Sequence, residues 1–276
     1  MHQLISPRYI VASLMAACCL LPPLAAAQEA ASRPHLDVVF VPTPNNVVDR
    51  MLRMAQVRSD DYVIDLGSGD GRVLVAAAKT HGARGFGVDI DPQRVTEARQ
   101  NAQTAGIADR VEFRQQNLFE TSIRDATVLT MYLMPEVNLR LRPRILSELR
   151  PGARVVSHDF DMGDWKPDQR ATVGRSKVYM WIVPAKVEGR WTVQTDDGQS
   201  FALDLKQRYQ EIEGTATLDG RAFPIRQGRV KGAEISFAIA TGQGRAIRYT
   251  GQIVGNMIQA TRGSGASMTP EAIRRP

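Results

Sequence analysis

From residue 41 onward the apolar positions fall into two regimes. In the first, short apolar runs alternate with stretches of helical period. Val47, Val48, Met51, Leu52 and Ala55 recur at i, i+1, i+4, i+5 and i+8, one face of a helix. Pro42-Thr43-Pro44 precedes them, with Thr43 as the expected N-cap and Pro44 at the first helical position. Residues 62–66 read as a short buried strand, 73–79 as a helix and 85–89 as a second strand. Asp91-Pro92 opens a helix whose Val95, Ala98 and Ala102 share a face, and 111–114 and 126–133 are the third and fourth strands. Pro143 interrupts the helical text that follows, which predicts a short helix, a break and a second helix ending at Leu149. Residues 155–159 and 178–183 are the last strands of this regime. Strands alternating with helices imply βαβ units and a mostly parallel sheet. Such a sheet binds ligands beyond the C-terminal ends of its strands, where the strand order reverses.

Past Pro184 the helical period disappears. Runs at 191–193, 201–205, 214–218, 222–225, 235–240, 247–252 and 257–261 are separated by turn signals. These are Asp196-Asp197-Gly198, Asp219-Gly220, Gln227-Gly228, Lys231-Gly232 and Gly242-Gln243-Gly244. The pattern predicts an antiparallel meander closing into a small barrel or sandwich. The expected architecture is therefore α/β: a Rossmann-like domain over residues 28–184 and a β-rich domain over 185–276, with the boundary near 184–188.

The first 27 residues have a different character. Arg8 gives a weakly positive start, residues 9–21 are almost wholly apolar, Pro22-Pro23 ends the run, and Ala25-Ala26-Ala27 precedes Gln28. This is the order of a secretory signal peptide cleaved after Ala27. The run is shorter than the ~20 residues of a membrane span. The expectation is an exported, periplasmic mature chain with no stable span; a membrane-anchored or a cytoplasmic chain are the alternatives. Both cysteines, Cys18 and Cys19, lie in this segment. The mature chain then has no disulfide, no thiolate nucleophile and no Cys-ligated metal, and no metal site is expected. The net charge of +6 raises the question of a polyanionic partner. Lys and Arg are interspersed with Asp and Glu and no run of five basic residues occurs, so nucleic acid is not an expected partner.

Three elements carry the chemistry. The first is Val63-Ile64-Asp65-Leu66-Gly67-Ser68-Gly69-Asp70-Gly71, a strand running into a turn with glycines at alternate positions. Such glycines take positive φ or let a ligand approach without a Cβ clash. The spacing G-x-G-x-G is not the G-x-G-x-x-G that seats a pyrophosphate. It suits a ligand with a cationic, amino-acid-like end, which Asp65 at the strand end serves either through the ammonium or through a bound water. The second is Asp89, ending the next strand at about the ~20-residue distance where an acid receives ribose hydroxyls. A carboxylate accepts from both hydroxyls at once, and Ile90 after it is suited to a purine face. The third is Gln116-Asn117-Leu118 after the third strand, where Asn117 supplies an acceptor for an adenine amino group. In this order and spacing the three define an adenosine-cofactor site.

These elements resemble the first three motifs of class I S-adenosylmethionine methyltransferases. More narrowly, Val41-Pro42-Thr43-Pro44, residues 65–71, Tyr132-Leu133-Met134-Pro135 and Leu141-Arg142-Pro143 are similar to a family that includes the mitochondrial lysine methyltransferases acting on the adenine-nucleotide translocase and the ATP-synthase c-subunit. The resemblance covers residues 38–170. It implies S-adenosyl-L-methionine as cofactor, contacts to it from Pro42 and Thr43, and lysine as the type of methyl acceptor. Asn117 departs from the commoner acid at its position but keeps an acceptor.

Methyl transfer from a sulfonium is an in-line displacement, so holding the acceptor in place supplies much of the catalysis. Tyr132, after the fourth strand, is positioned to turn an aromatic face to a cationic centre. The segment does not read Asn/Asp-Pro-Pro-Tyr/Phe, which argues against planar amide or nucleobase nitrogens, and an amine acceptor remains. His158, near the end of the fifth strand, is a candidate base; Asp159 and Asp161 beside it are suited to an ammonium or to a turn. The expected activity is N-methylation of a protein lysine or a small amine. Methylation of a small metabolite or lipid, and a non-catalytic cofactor-binding module, are the alternatives.

Overall fold

In a computed structural model the chain is described over residues 40–242, 245–263 and 266–267. The expected leader, Cys18, Cys19 and the expected cleavage position after Ala27 lie outside these residues, as do Gln243 and Gly244 of the last expected turn. The elements run α1 (Asn45–Met54), β1 (Tyr62–Leu66), α2 (Arg72–His81), β2 (Arg84–Asp89), α3 (Pro92–Thr104), β3 (Val111–Gln115), β4 (Val128–Met131), α4 (Pro135–Glu148), β5 (Arg154–His158), β6 (Gln169–Val173) and β7 (Ser176–Ile182). The second regime gives β8 (Gly189–Thr195), β9 (Ser200–Arg208), β10 (Glu211–Leu218), β11 (Arg221–Lys231), β12 (Glu234–Gly242), β13 (Arg245–Val254), β14 (Met257–Arg262) and the two-residue β15 (Ala266–Ser267).

The first seven strands form one sheet in the order β3-β2-β1-β4-β5-β7-β6. β1 to β5 are parallel, and β7 joins antiparallel to both β5 and β6. Both faces are covered, as a parallel sheet requires. Val63, Val128 and Val156 pack with Met51 and Leu52 of α1, Leu74 of α2 and Ala98 of α3. Their neighbours Ile64, Leu129 and Val155 point the other way, onto Leu141 and Ile145 of α4 and Trp181. Each such fully buried side chain contributes roughly 1.5–3 kcal/mol. The strand order reverses between β1 and β4, so the ligand crevice lies above their C-terminal ends.

The remaining strands form a closed barrel of β8 to β14, with β15 paired to β13 outside the ring. All its pairings are antiparallel except one: β14 closes on β8 in parallel. An odd-numbered meander leaves its first and last strands running the same way, so closure is forced to be parallel. Val193, Leu203, Leu205, Phe237, Tyr249 and Ile258 fill the interior. The stretch expected to divide the two regimes lies between β7 and β8, and the two sheets belong to one compact unit. Ala185 N–H donates to the Gly232 carbonyl across this junction.

Several local expectations are corrected. α1 begins after Pro44, which occupies the N-cap, and Thr43 makes no cap. Its hydroxyl is instead within 3.1 Å of His158 Nδ1. α4 runs unbroken through Pro143. Pro143 and Leu139, whose carbonyl lacks an N–H partner as a result, both face solvent, where water replaces the lost bond. The fifth strand ends at His158; Asp159 turns away at φ 60° and accepts the Lys177 N–H at 2.7 Å. β6 was not expected, because Gln169, Arg170 and Thr172 lie on an edge strand that needs little apolar character. Gln227-Gly228 is not a turn but a β-bulge within β11, with Gln227 at φ 51°.

Candidate active site

A cavity of about 260 Å³ opens above the ends of β1, β2, β3 and β4. Its floor is the turn after β1. Gly67 and Ser68 both donate N–H to the Val88 carbonyl at 2.9 Å, which folds the turn over the end of β2. Gly87 of β2 makes that possible: a Cβ there would lie 2.6 Å from the Ser68 Cβ. Gly67, Gly69 and Gly71 all have positive φ. Gly71 is the left-handed residue from which α2 starts, and a Cβ on it would overlap Phe113 and Ala98 beneath the turn.

Two carboxylates face the cavity in different states. Asp65 is 3% exposed, and its Oδ1 accepts the Thr130 hydroxyl at 2.6 Å. Burial pushes its carboxyl up to about 7, against that hydrogen bond and with further upward pressure from Asp89 and Asp70. Asp89 is held by backbone: Oδ2 accepts the Gly69 N–H at 2.8 Å and Oδ1 the Asp91 N–H at 2.9 Å. A carboxylate has about four acceptor positions, so each oxygen keeps one free. The Ser68 Oγ, buried against Gly87, has no hydrogen-bond partner.

The rest of the wall comes from five further elements. Ile90 follows β2, and Asn117 and Leu118 follow β3. Asn117 is folded into its own turn, Oδ1 accepting the Phe119 N–H at 3.0 Å, so one lone pair of that oxygen remains. Phe40, Val41, Pro42 and Thr43 form a roof. Arg72 Nη1 donates to the Thr43 carbonyl at 2.9 Å, and the Arg94 guanidinium lies 4.7 Å from the Phe40 ring centre. Tyr132 and Met134 follow β4, and Phe160 follows β5. The Tyr132 and Phe160 rings are stacked with centres 6.2 Å apart.

Of the residues singled out from sequence, Pro42, Thr43, Asp65, Gly67, Ser68, Asp89, Ile90, Asn117, Leu118 and Tyr132 share this cavity. Gly69 and Gly71 are not among the lining residues: Gly71 packs beneath the turn on Phe113 and Ala98, while Gly69 donates its N–H to Asp89 and lies against the Phe40 ring of the roof. His158 does not line the cavity. It is 1% exposed, behind Tyr132, with ring centres 3.9 Å apart. Its Nδ1 meets the Thr43 hydroxyl, and Nε2 lies 3.3 Å from Asp159 Oδ2 without hydrogen-bond alignment. Burial holds its pKa below the ordinary value, against the pull of Asp159, so the ring is neutral near pH 7. A direct role as base does not fit that place; supporting Tyr132 and latching the roof does. Sequence reasoning missed Phe40, Arg94, Thr130 and Phe160. Phe40 and Phe160 sit in irregular text with no period to assign them, and Thr130 reads as one more strand residue.

Fold and cavity together define a class I S-adenosylmethionine-dependent methyltransferase. The ANTKMT methyltransferase domain matches residues 65–169. A protein-lysine N-methyltransferase of Saccharolobus islandicus is 42% identical over 155 residues, covering 54% of this chain and 95% of that protein. The mouse adenine nucleotide translocase lysine N-methyltransferase is 33% identical over 54% of this chain and 65% of its own length. A crystal structure described as that of an RNA methyltransferase from Salinibacter ruber in complex with S-adenosyl-L-homocysteine is 56% identical, with a TM-score of 0.53 over 53% of this chain and 96% of that one. The chain belongs to the methyltransferase family of the ANTKMT domain, and its cofactor is S-adenosylmethionine.

Proposed function

We propose that this protein transfers a methyl group from S-adenosylmethionine to the side-chain amine of a protein lysine. The observation that carries the reading is the division of the cavity. One end has two carboxylates and the glycine turn, matched to an amino-acid group and a ribose; the other has Tyr132, Met134 and Phe160, matched to a sulfonium methyl and to an amine on its aliphatic stem. Asp89 holds the ribose hydroxyls, Ile90 and Leu118 flank the adenine with Asn117 at its amino group, and Asp65, Ser68 and the Gly67–Gly69 turn receive the amino-acid end. Pro42 and Thr43 close the site from above. The bound cofactor supplies an electrophilic methyl on a sulfonium. A lysine amine has an ordinary pKa of ~10.4, so the acceptor must lose its proton before attack. The apolar roof and the rings of Tyr132 and Phe160 favour the neutral amine by excluding water.

The test is transfer of tritiated methyl groups from S-adenosylmethionine to fractionated protein and RNA, followed by peptide mapping. Label on protein lysine is expected. The description of the Salinibacter ruber protein makes RNA the rival acceptor, and label confined to RNA would overturn the lysine reading. Label confined to lipids or small metabolites would also do so.

Asp65 gives the site a pH dependence. With its carboxyl pushed up to about 7, the free protein carries a proton there below that pH, and a cationic ligand must expel it. Affinity for S-adenosylmethionine is therefore full above pH 7 and falls below it, by up to about tenfold per pH unit. Calorimetry at pH 6, 7 and 8 checks this; a flat profile would remove Asp65 from the cationic end.

We further propose that the chain is exported. The charged start, the apolar run over 9–21 and the Ala25-Ala26-Ala27 site support it. Among the described residues no helix is long and apolar enough to cross a membrane. Mass spectrometry of the native protein should find an N-terminus at Gln28, and an intact Met1 in a cytosolic fraction would defeat this reading.

A further inference from the structure

We propose that the β9–β10 turn of the barrel, Arg208-Tyr209-Gln210, is a positioning element for methyl transfer. It clamps the loop after β5, whose residue Phe160 forms the acceptor side of the cavity. The proposal rests on the acceptor assignment above and assigns a role to a part of the chain that the matched domain does not reach.

The loop runs over residues 159–168, from the cavity wall to the start of β6. Its middle is gripped from the barrel at three successive points. Asp164 accepts from Arg208 Nη2 at 2.8 Å and from the Tyr209 hydroxyl at 3.1 Å. Trp165, fully buried, stacks on the Tyr209 ring with centres 6.0 Å apart and an interplanar angle of 21°. Gln210, 3% exposed, donates from Nε2 to the Lys166 carbonyl at 2.7 Å. At the end of the loop, Arg229 of β11 pairs with Asp168.

The same loop is tied to the acceptor wall. Arg142 of α4 pairs with Asp164, donates to the Met162 carbonyl at 2.7 Å and lies 5.4 Å from the Tyr209 ring centre. One turn earlier on α4, Asn138 Nδ2 donates to the carbonyls of Phe160 and Asp161 at 3.2 and 3.3 Å. Phe160 in turn stacks on Tyr132. Barrel, loop, α4 and cavity wall therefore form one contiguous set of contacts, although among the described residues no barrel side chain lines the cavity itself.

The turn is built for this contact rather than for turning. Arg208 pairs with Glu211, which leaves a two-residue connection. Such a connection favours Asn or Gly in left-handed backbone. Here a bulky Tyr209 takes φ 55°. Backbone strain of this kind persists where the side chain is held by its surroundings, and Tyr209 is held by Trp165, Asp164 and Arg142.

The test compares the full chain with Tyr209→Asn and Tyr209→Phe. Asn is at home in left-handed backbone, so the first variant relieves the turn while removing the ring, and the barrel should stay folded. Hydrogen exchange of residues 159–168 should rise at least ~tenfold in Tyr209→Asn while that of β1 stays unchanged. S-adenosylhomocysteine affinity should stay within about twofold, and kcat for tritiated methyl transfer to the protein fraction should fall about tenfold at unchanged cofactor KM. Tyr209→Phe, which keeps the ring stack, should restore most of both. Raised exchange with unchanged kcat would reduce the contact to a structural one, and unchanged exchange would remove the clamp altogether. Transfer by the unaltered protein to RNA alone would defeat the lysine reading while leaving the same kcat comparison valid on RNA. No transfer to either fraction would defeat the acceptor assignment, and the exchange comparison then decides the clamp alone.

Discussion

Asp89→Ala is expected to weaken S-adenosylmethionine binding by about 10- to 100-fold, the equivalent of losing ~1.5–3 kcal/mol of charged hydrogen bonding. Two effects add. The free acceptor positions of the carboxylate disappear, and with them the proposed partners of the ribose hydroxyls. The Gly69 and Asp91 N–H groups also lose the oxygens that fix them, so the glycine turn and the start of α3 are no longer held to each other. The fold itself should survive. Asp89 is half-buried at the sheet edge of the cavity, and the core packing of β2 rests on Phe86 and Val88. Asp89→Asn separates the two effects. It keeps one acceptor oxygen and most of the shape, and should lose less than Ala if orientation of the turn dominates. Calorimetry with the thermal midpoint as control checks this, and unchanged affinity in the Ala variant would take Asp89 out of the cofactor site.

The parallel sheet and the carboxylate end of the cavity were legible because the one is periodic and the other local in sequence. A buried strand such as 62–66 announces itself by composition, Asp65 and Asp89 lie at the ends of their strands, and the turn from Gly67 to Gly71 follows directly in sequence. What escaped depends on contacts across the fold. Thr43 has the residue type of an N-cap, but a partner 115 positions away, His158, engages its hydroxyl. Pro143 carries a strong local signal for a break, and burial on the opposite face of α4, through Leu141 and Ile145, overrides it. His158 has the residue type of a base, while its burial behind Tyr132 has no trace in the local text. The barrel's strands were visible from their turn signals, yet the Tyr209-Gln210 turn was not, because its residues answer to Trp165 and Lys166 rather than to turn geometry.

Tyr132→Ala should leave cofactor affinity within a few-fold and lower turnover at least ~10-fold, the equivalent of raising the activation barrier by about 1.36 kcal/mol. The argument is one of place. Tyr132 follows β4 directly, between the carboxylate end of the cavity and the Phe160 wall, so its ring is the surface that acceptor and transferred methyl share. An aromatic face attracts a cationic centre by roughly 0.5–2 kcal/mol. The ring is itself backed by His158 at 3.9 Å and Phe160 at 6.2 Å between ring centres, which limits its freedom to turn aside. Burial, together with the nearby Asp159 carboxylate, holds the Tyr132 hydroxyl above its ordinary pKa, so it stays protonated and neutral at physiological pH. It is then a donor, not a base. Tyr132→Phe tests which part of the side chain matters. If the ring face holds the methyl and the amine, Phe keeps most of the activity; if the hydroxyl orients the amine, Phe falls as far as Ala. Single-turnover transfer with saturating cofactor separates these from binding, and full activity in the Ala variant would remove Tyr132 from the acceptor site.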